Sequence, residues 1–159
     1  MKALCLVLFL TAPLSPQTRV STVLDDWHAA AAAADEKRYF SHFAPDAVFL
    51  GTDATERWTR DEFRQWARPH FASRKTWSFR AVSRHISLSP DGNVAWFDEN
   101  LETGDLGPAR GSGVLLRQKG EWKIAHYDLS IPIPNPLMEE FRKRIEEFSK
   151  KRRGPRVKS

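Results

Sequence analysis

Leu24, Trp27, Ala31 and Ala34 recur at spacings of three and four, which predicts a helix over 21–34. Thr22 with Asp25 three residues on resembles a capping box at its start. The alanine run 29–34 favours helix and lets a neighbour approach closely. Asp35 interrupts the pattern and opens a shorter helix whose apolar face carries Tyr39, Phe40 and Phe43. Ala44-Pro45-Asp46 reads as a turn, 47–51 as a short strand and 56–58 as another. Thr59-Arg60-Asp61-Glu62 is a fuller capping box. It opens a third helix with Phe63, Trp66, Ala67, His70 and Phe71 on one face, which Pro69 should kink or end.

Beyond residue 76 the period drops to that of strands. Four are predicted, over 76–88, 93–103, 109–119 and 121–131. Pro90-Asp91-Gly92 joins the first pair, the loop 104–108 the second, and Gly120 makes a tight turn between the last two. Short turns make consecutive strands antiparallel. Gly111 and Gly113 leave one face of their strand bare, which suits a strongly bent sheet. Pro132, Pro134 and Pro136 end the last strand. Leu137, Phe141, Ile145 and Phe148 then predict an amphipathic helix over 137–149. The fold class is α+β: a curved antiparallel sheet wrapped around N-terminal helices in a cone-like barrel, with an extra C-terminal helix.

Composition refines this picture at the ends. All six Trp lie between Trp27 and Trp122, so the core should lie there. The net charge of +5 comes from the C-terminus, where Lys150, Lys151, Arg152, Arg153, Arg156 and Lys158 leave the remainder close to neutral. Lys2, an apolar run over 3–11 and a small, polar, Pro-containing stretch over 12–17 read as a cleavable signal peptide. The run is too short to span a bilayer, and a secreted or periplasmic protein is expected. Cys5, the single cysteine, falls inside that segment, so thiol and disulfide chemistry is excluded from the mature chain. The expected organisation is a signal peptide over 1–17, a pocket domain over 21–133, a C-terminal helix over 134–149 and a basic, disordered tail over 150–159.

Two motifs point to a family. Phe43-Ala44-Pro45-Asp46-Ala47-Val48-Phe49-Leu50-Gly51 follows two helices, and Gly120-Glu121-Trp122-Lys123-Ile124-Ala125-His126 occupies the last strand. With the intervening order of helix and hairpin-linked strands, the chain resembles the nuclear transport factor 2-like superfamily, in its SnoaL-like and ketosteroid-isomerase-like branch. The resemblance covers 21–131. It implies a cone with a pocket and a homodimer formed through the outer sheet face. It also implies a function among isomerases, cyclases, dehydratases, epoxide hydrolases and non-catalytic binders.

Strand alternation nominates side chains for the hollow. On the last strand the inward set is Trp122, Ile124, His126 and Asp128, with Tyr127 on the outer face. On the preceding strand it is Arg110, Ser112, Val114 and Leu116. On 93–103 it is Val94, Trp96, Asp98 and Asn100, unless the opposite phase places Ala95, Phe97, Glu99 and Leu101 inside. A bulge would switch phases mid-strand. Asp98, Arg110 and His126 form the candidate catalytic set: a carboxylate in an apolar cleft acts as acid or base, and an Arg beside it holds an oxyanion. The bland alternative is a cross-strand ion pair of Asp98 with Arg110. Trp27, Tyr39, Trp96, Glu99, Ser112 and Asp128 are the candidate ligand contacts, and His28 lies at the edge of the packed face. No HExxH or phosphate-cradling glycine loop occurs, so neither a metal nor a cofactor is expected. The basic tail lacks aromatic residues to stack on bases, and no nucleic-acid partner is expected. Three readings follow. The first is an exported pocket protein for a small apolar or carbonyl-bearing molecule. The second is a cofactor-free isomerase, dehydratase or hydrolase. The third is a dimeric interaction module with a vestigial pocket.

Overall fold

The computed structural model describes residues 14–153. The order is α1 (Pro16–Ala32), α2 (Glu36–Ser41), β1 (Phe43–Leu50), β2 (Arg57–Thr59), α3 (Arg60–Ala72), β3 (Phe79–Leu88), β4 (Val94–Thr103), β5 (Ala109–Gln118) and β6 (Glu121–Ser130). A one-turn 3-10 segment (Asn135–Leu137) and α4 (Met138–Arg153) complete it. The strands form one sheet in the order β2-β1-β6-β5-β4-β3. Consecutive strands are antiparallel as expected, while β1 lies parallel to β6, which makes the sheet mixed.

Local chemistry sets the helix ends. Ser15 accepts the Thr18 N–H at 3.1 Å and Pro16 fills the first turn, so α1 starts before residue 21. Asp35 caps α2 by accepting the Arg38 N–H. The Thr59–Glu62 capping box is complete in both directions. Pro69 falls in the last turn of α3 and lets the helix reach Ala72. Ala44-Pro45-Asp46 is not a separate turn but an irregular stretch inside β1, where the register against β6 shifts between Phe43 and Val48.

The helices pack on the concave face. Trp27 of α1 is the hub, with ring centroids 5.2 Å from Tyr39, 5.5 Å from Phe43 and 4.6 Å from Tyr127. Phe63 and Phe71 of α3 close the other side of this aromatic core.

Three bulges decide which residues look inward. Val82 is the extra residue in β3, Ala125 the extra residue in β6, and the third is the irregular stretch of β1. Trp122 and Ile124 point inward as expected, but beyond Ala125 the phase flips, so Tyr127 and Leu129 are buried. His126 and Asp128 turn to the convex face, and Tyr127 is inside rather than on the outer surface. On β4 it is the opposite phase that holds: Ala95, Phe97, Glu99 and Leu101 are buried while Trp96, Asp98 and Asn100 are exposed. On β5 Ala109, Gly111 and Leu115 face in, and Arg110 is exposed outside.

At the C-terminus the helix continues through residues 150–153, which were expected in the tail; 154–159 lie outside the described residues. So do residues 1–13, most of the expected signal peptide and its Cys5.

Candidate functional site

A hollow of about 510 Å³ opens between α3, β2 and the segment leading into β3. Its walls are aromatic: Phe49, Trp58, Phe63, Trp66, Trp77 and Phe79, with Leu106 and Leu129. The capping box at Thr59 fixes the start of α3 directly after Trp58, and helical spacing then brings Phe63 and Trp66 to the same wall. Phe49, Trp58, Phe63 and Trp66 present nearly parallel ring faces. Phe49 stacks on Phe63 at 4.0 Å and 13°, and Trp58 on Trp66 at 5.2 Å and 26°. Trp66 remains 45% exposed, a large apolar surface kept at the mouth of the hollow. His70, Lys75, Thr76, Ser78 and Asp105 supply polar groups at the margin.

Beneath this wall lies a buried polar cluster centred on Glu99, which is 1% exposed. Its Oε1 accepts from His28 Nε2 at 2.8 Å and from the Tyr127 hydroxyl at 3.4 Å. Its Oε2 accepts from Arg84 Nε at 2.8 Å. Arg84 in turn donates to Asp25 at 2.7 Å and to the Ser21 hydroxyl and carbonyl oxygens, tying β3 to α1. Burial alone would raise the Glu99 carboxyl, but hydrogen bonding and charge from His28 and Arg84 outweigh it and hold the group below its ordinary value. Burial lowers Arg84, yet Glu99 and Asp25 more than compensate and keep it cationic. Burial and the adjacent Glu99 charge push the Tyr127 phenol well up, so it stays a donor. Gly111 makes this arrangement possible: a Cβ there would stand 2.3 Å from the Tyr127 hydroxyl oxygen and 3.0 Å from Glu99 Oε1.

The cluster does not line the hollow. Phe79 lies edge-on to His28 at 6.1 Å and Phe49 stacks on Tyr127 at 5.5 Å, so one layer of side chains separates the two. Both Glu99 oxygens are engaged by donors. The carboxylate is therefore poised to orient His28 and to hold Arg84 rather than to reach an outer ligand directly. Among the described residues no group of three or more His, Cys, Asp or Glu is arranged to hold a metal ion.

Of the residues nominated from the sequence, Glu99 is brought into this cluster. Trp27 and Tyr39 are buried in the core beneath the hollow rather than lining it. Among the described residues the Trp27 Nε1 and Tyr39 hydroxyl have no hydrogen-bond partner, and burial raises the Tyr39 phenol well above its usual value. Asp98, Arg110, His126, Trp96, Ser112 and Asp128 all stand on the convex face, because the phases of β4 and β5 are opposite to those expected and β6 flips at Ala125. Asp98 faces His85 at 3.4 Å, and Arg110 sits opposite Asn100 and Ser130, so the Asp98–Arg110 ion pair does not form. Arg84 escaped the sequence reading altogether. Its signal was the alternation Arg84, Ile86, Leu88, which puts the guanidinium on the apolar face once Val82 is recognised as a bulge.

Comparison with known proteins agrees with this geometry. Residues 20–134 match the model of a family described as SnoaL-like domain. Among curated proteins none matches the sequence. Solved structures share the fold at low identity. A protein of unknown function from Pseudomonas putida, described as NTF2-like, aligns with a TM-score of 0.64 at 14% identity, over 77% of this chain and 92% of that one. A provisionally assigned dehydratase of the NTF2-like family from Streptomyces avermitilis gives 0.63 at 17%, over 76% and 100%. A provisionally assigned aromatic ring hydroxylase from Novosphingobium aromaticivorans gives 0.64 at 17%, over 78% and 94%. These likenesses establish the architecture alone; with a family match spanning the cone from α1 to the end of β6, the chain belongs to the SnoaL-like domain family and has the nuclear transport factor 2-like fold.

Proposed function

We propose that this domain binds a flat, mostly apolar small molecule in the aromatic hollow. The observation that carries this is the set of near-parallel Trp58, Phe63 and Trp66 rings lining a cavity of about 510 Å³, with Trp66 left 45% exposed. A planar ligand extends such a stack, and each ring face covered adds about 0.5–1.5 kcal/mol beyond area burial. The margin of Lys75 and Ser78 offers donors to a carbonyl or acidic oxygen, while the Thr76 hydroxyl is spent on the Ala31 carbonyl oxygen. 2-Naphthol is a suitable probe. It should quench tryptophan fluorescence saturably with one site per chain, and Trp66→Ala should weaken binding about tenfold while leaving the fold intact. No saturable quenching, or an unchanged affinity in the variant, would remove this reading.

A second reading rests on the Glu99–His28–Tyr127 cluster beneath the hollow. Such a group moves protons if a ligand displaces Phe79 and reaches His28. The fold neighbour provisionally assigned as a dehydratase is compatible with it. Tyr127→Phe keeps the ring packing; loss of turnover of a bound compound at unchanged affinity would support the enzyme, and retained turnover would count against it.

Two further proposals come from the sequence. Two copies would associate through the convex sheet face, and residues 1–17 would act as an export signal. α1 opens at Ser15 and Pro16, so cleavage at the end of that segment would remove the cap, while cleavage before Ser15 would keep the first helical turn whole.

A further inference from the structure

α4 stands away from the cone. Its principal contact is the 3-10 turn that precedes it, and every residue from 134 to 148 is exposed. Met138, Phe141, Ile145 and Phe148 are 49%, 40%, 57% and 60% exposed. Their spacings of three, four and three place them on one stripe. Packing against the sheet does not account for this stripe, since all four side chains stay exposed.

The borders of the stripe are cationic. At 100° per residue Arg142 falls along one edge, and Arg144 and Lys151 along the other. The glutamates lie farther round, where Glu139 and Glu146 pair with Arg142, and Glu140 pairs with Arg144. From Met138 onward the sequence has nine Lys and Arg against four Glu, and no acidic residue follows Glu147. Cations along the rim of an apolar stripe, and crowding beyond its end, match a surface that is apolar inside and anionic at its border.

We propose that α4 is an interfacial membrane-binding helix. It lies in the plane of a bilayer containing anionic lipid, with Phe141 and Ile145 in the acyl boundary and Arg142, Arg144 and Lys151 at the phosphates. A second copy of α4 is a poorer occupant. Pairing on this stripe sets Arg142, Arg144 and Lys151 of one helix against like charges of the other, in either direction. Nucleic acid would neutralise the cations but leave the stripe in water.

Vesicle flotation of the full chain tests the proposal. The protein should float with phosphatidylcholine vesicles containing phosphatidylglycerol, much less with phosphatidylcholine alone, and less as salt rises. Phe141→Glu/Ile145→Glu changes only exposed positions, so its circular dichroism should match wild type while flotation falls about tenfold or more. The double variant also separates α4 from the apolar run over 3–11. Wild-type protein that ignores anionic vesicles, or a double variant that floats equally, would overturn the proposal. So would a stripe whose substitution dissolves an oligomer without affecting flotation, which would assign it to a second copy. Tight binding to duplex DNA by protein indifferent to anionic vesicles would assign the cations elsewhere and overturn it too.

Discussion

Glu99 is the residue on which the interior turns. It is an ionised side chain enclosed by rings, and its ion pair with Arg84 spans β4 and β3 while His28 joins it to α1. Removing the charge takes the buried partner from Arg84, whose side chain is 7% exposed, and leaves it only the exposed Asp25 as a counter-ion. Glu99→Gln should therefore cost about 3 kcal/mol at pH 7, within the range for breaking a buried pair. The pH dependence has a definite sign. Glu99 is held below its ordinary 4.5, so the unfolded chain binds the proton more readily. Its contribution is whole above that value and lost as pH falls through the folded pKa. His42 acts in the same direction: burial lowers it from 6.5 despite the neighbouring Asp26, so acidification below that value favours the unfolded chain. Wild type should lose stability on acidification below pH 6.5, with a further fall below 4.5 that is shallower in Glu99→Gln, where Asp26, Glu62 and Asp91, also held below their ordinary values, still contribute. Urea unfolding of both proteins across this range measures it, and a variant with the same acid limb as wild type would show that Glu99 is not the group responsible.

At the scale of elements, α3 couples stability to the ligand wall. The Thr59–Glu62 box fixes the first turn, and Phe63 and Trp66 follow from it. Thr59→Ala should cost about 1 kcal/mol in unfolding free energy. It should also weaken 2-naphthol binding, because Trp58 and Trp66 lose their fixed separation; a stability loss with unchanged affinity would separate cap from pocket. This box was legible in the sequence, as were the order of helices and strands, the hairpin at Pro90-Asp91-Gly92 and the α+β class. Those features depend on residues close together in the chain. The inward faces of the strands were less accessible. A bulge of one residue, Val82 or Ala125, reverses every side chain beyond it, and neither valine nor alanine advertises one. On β4, Trp96 and Asp98 compete with Phe97 and Glu99 at equal spacing, and only the packing of Phe97 against Tyr127 decides between them. The nominated acid, Arg and His were thus displaced to the outside by geometry that local pattern does not carry.

For the whole molecule, the two faces of the sheet divide the work. The concave face is closed by helices and rings. The convex face carries one row in which Trp96, Val114, His126 and Val48 stand side by side, and a second in which His85, Asp98, Ser112 and Asp128 do. Trp96 is 49% exposed there, at a position where a lone chain gains nothing from an indole. Trp96, Val114 and Val48 with His126, edged by a polar row, are the mixture of residues that an isologous contact about a two-fold axis uses. If two copies meet on this face, Asp98, Arg110 and His126 belong to recognition between chains, and the chemistry they suggested in sequence is the chemistry of an interface. Sedimentation velocity should then find a dimer, and Trp96→Arg should shift it to monomer while 2-naphthol still binds, because the hollow lies on the opposite side of the sheet. A wild-type chain that stays monomeric at high concentration, or a Trp96→Arg dimer as stable as the original, would leave the convex face as ordinary solvated surface.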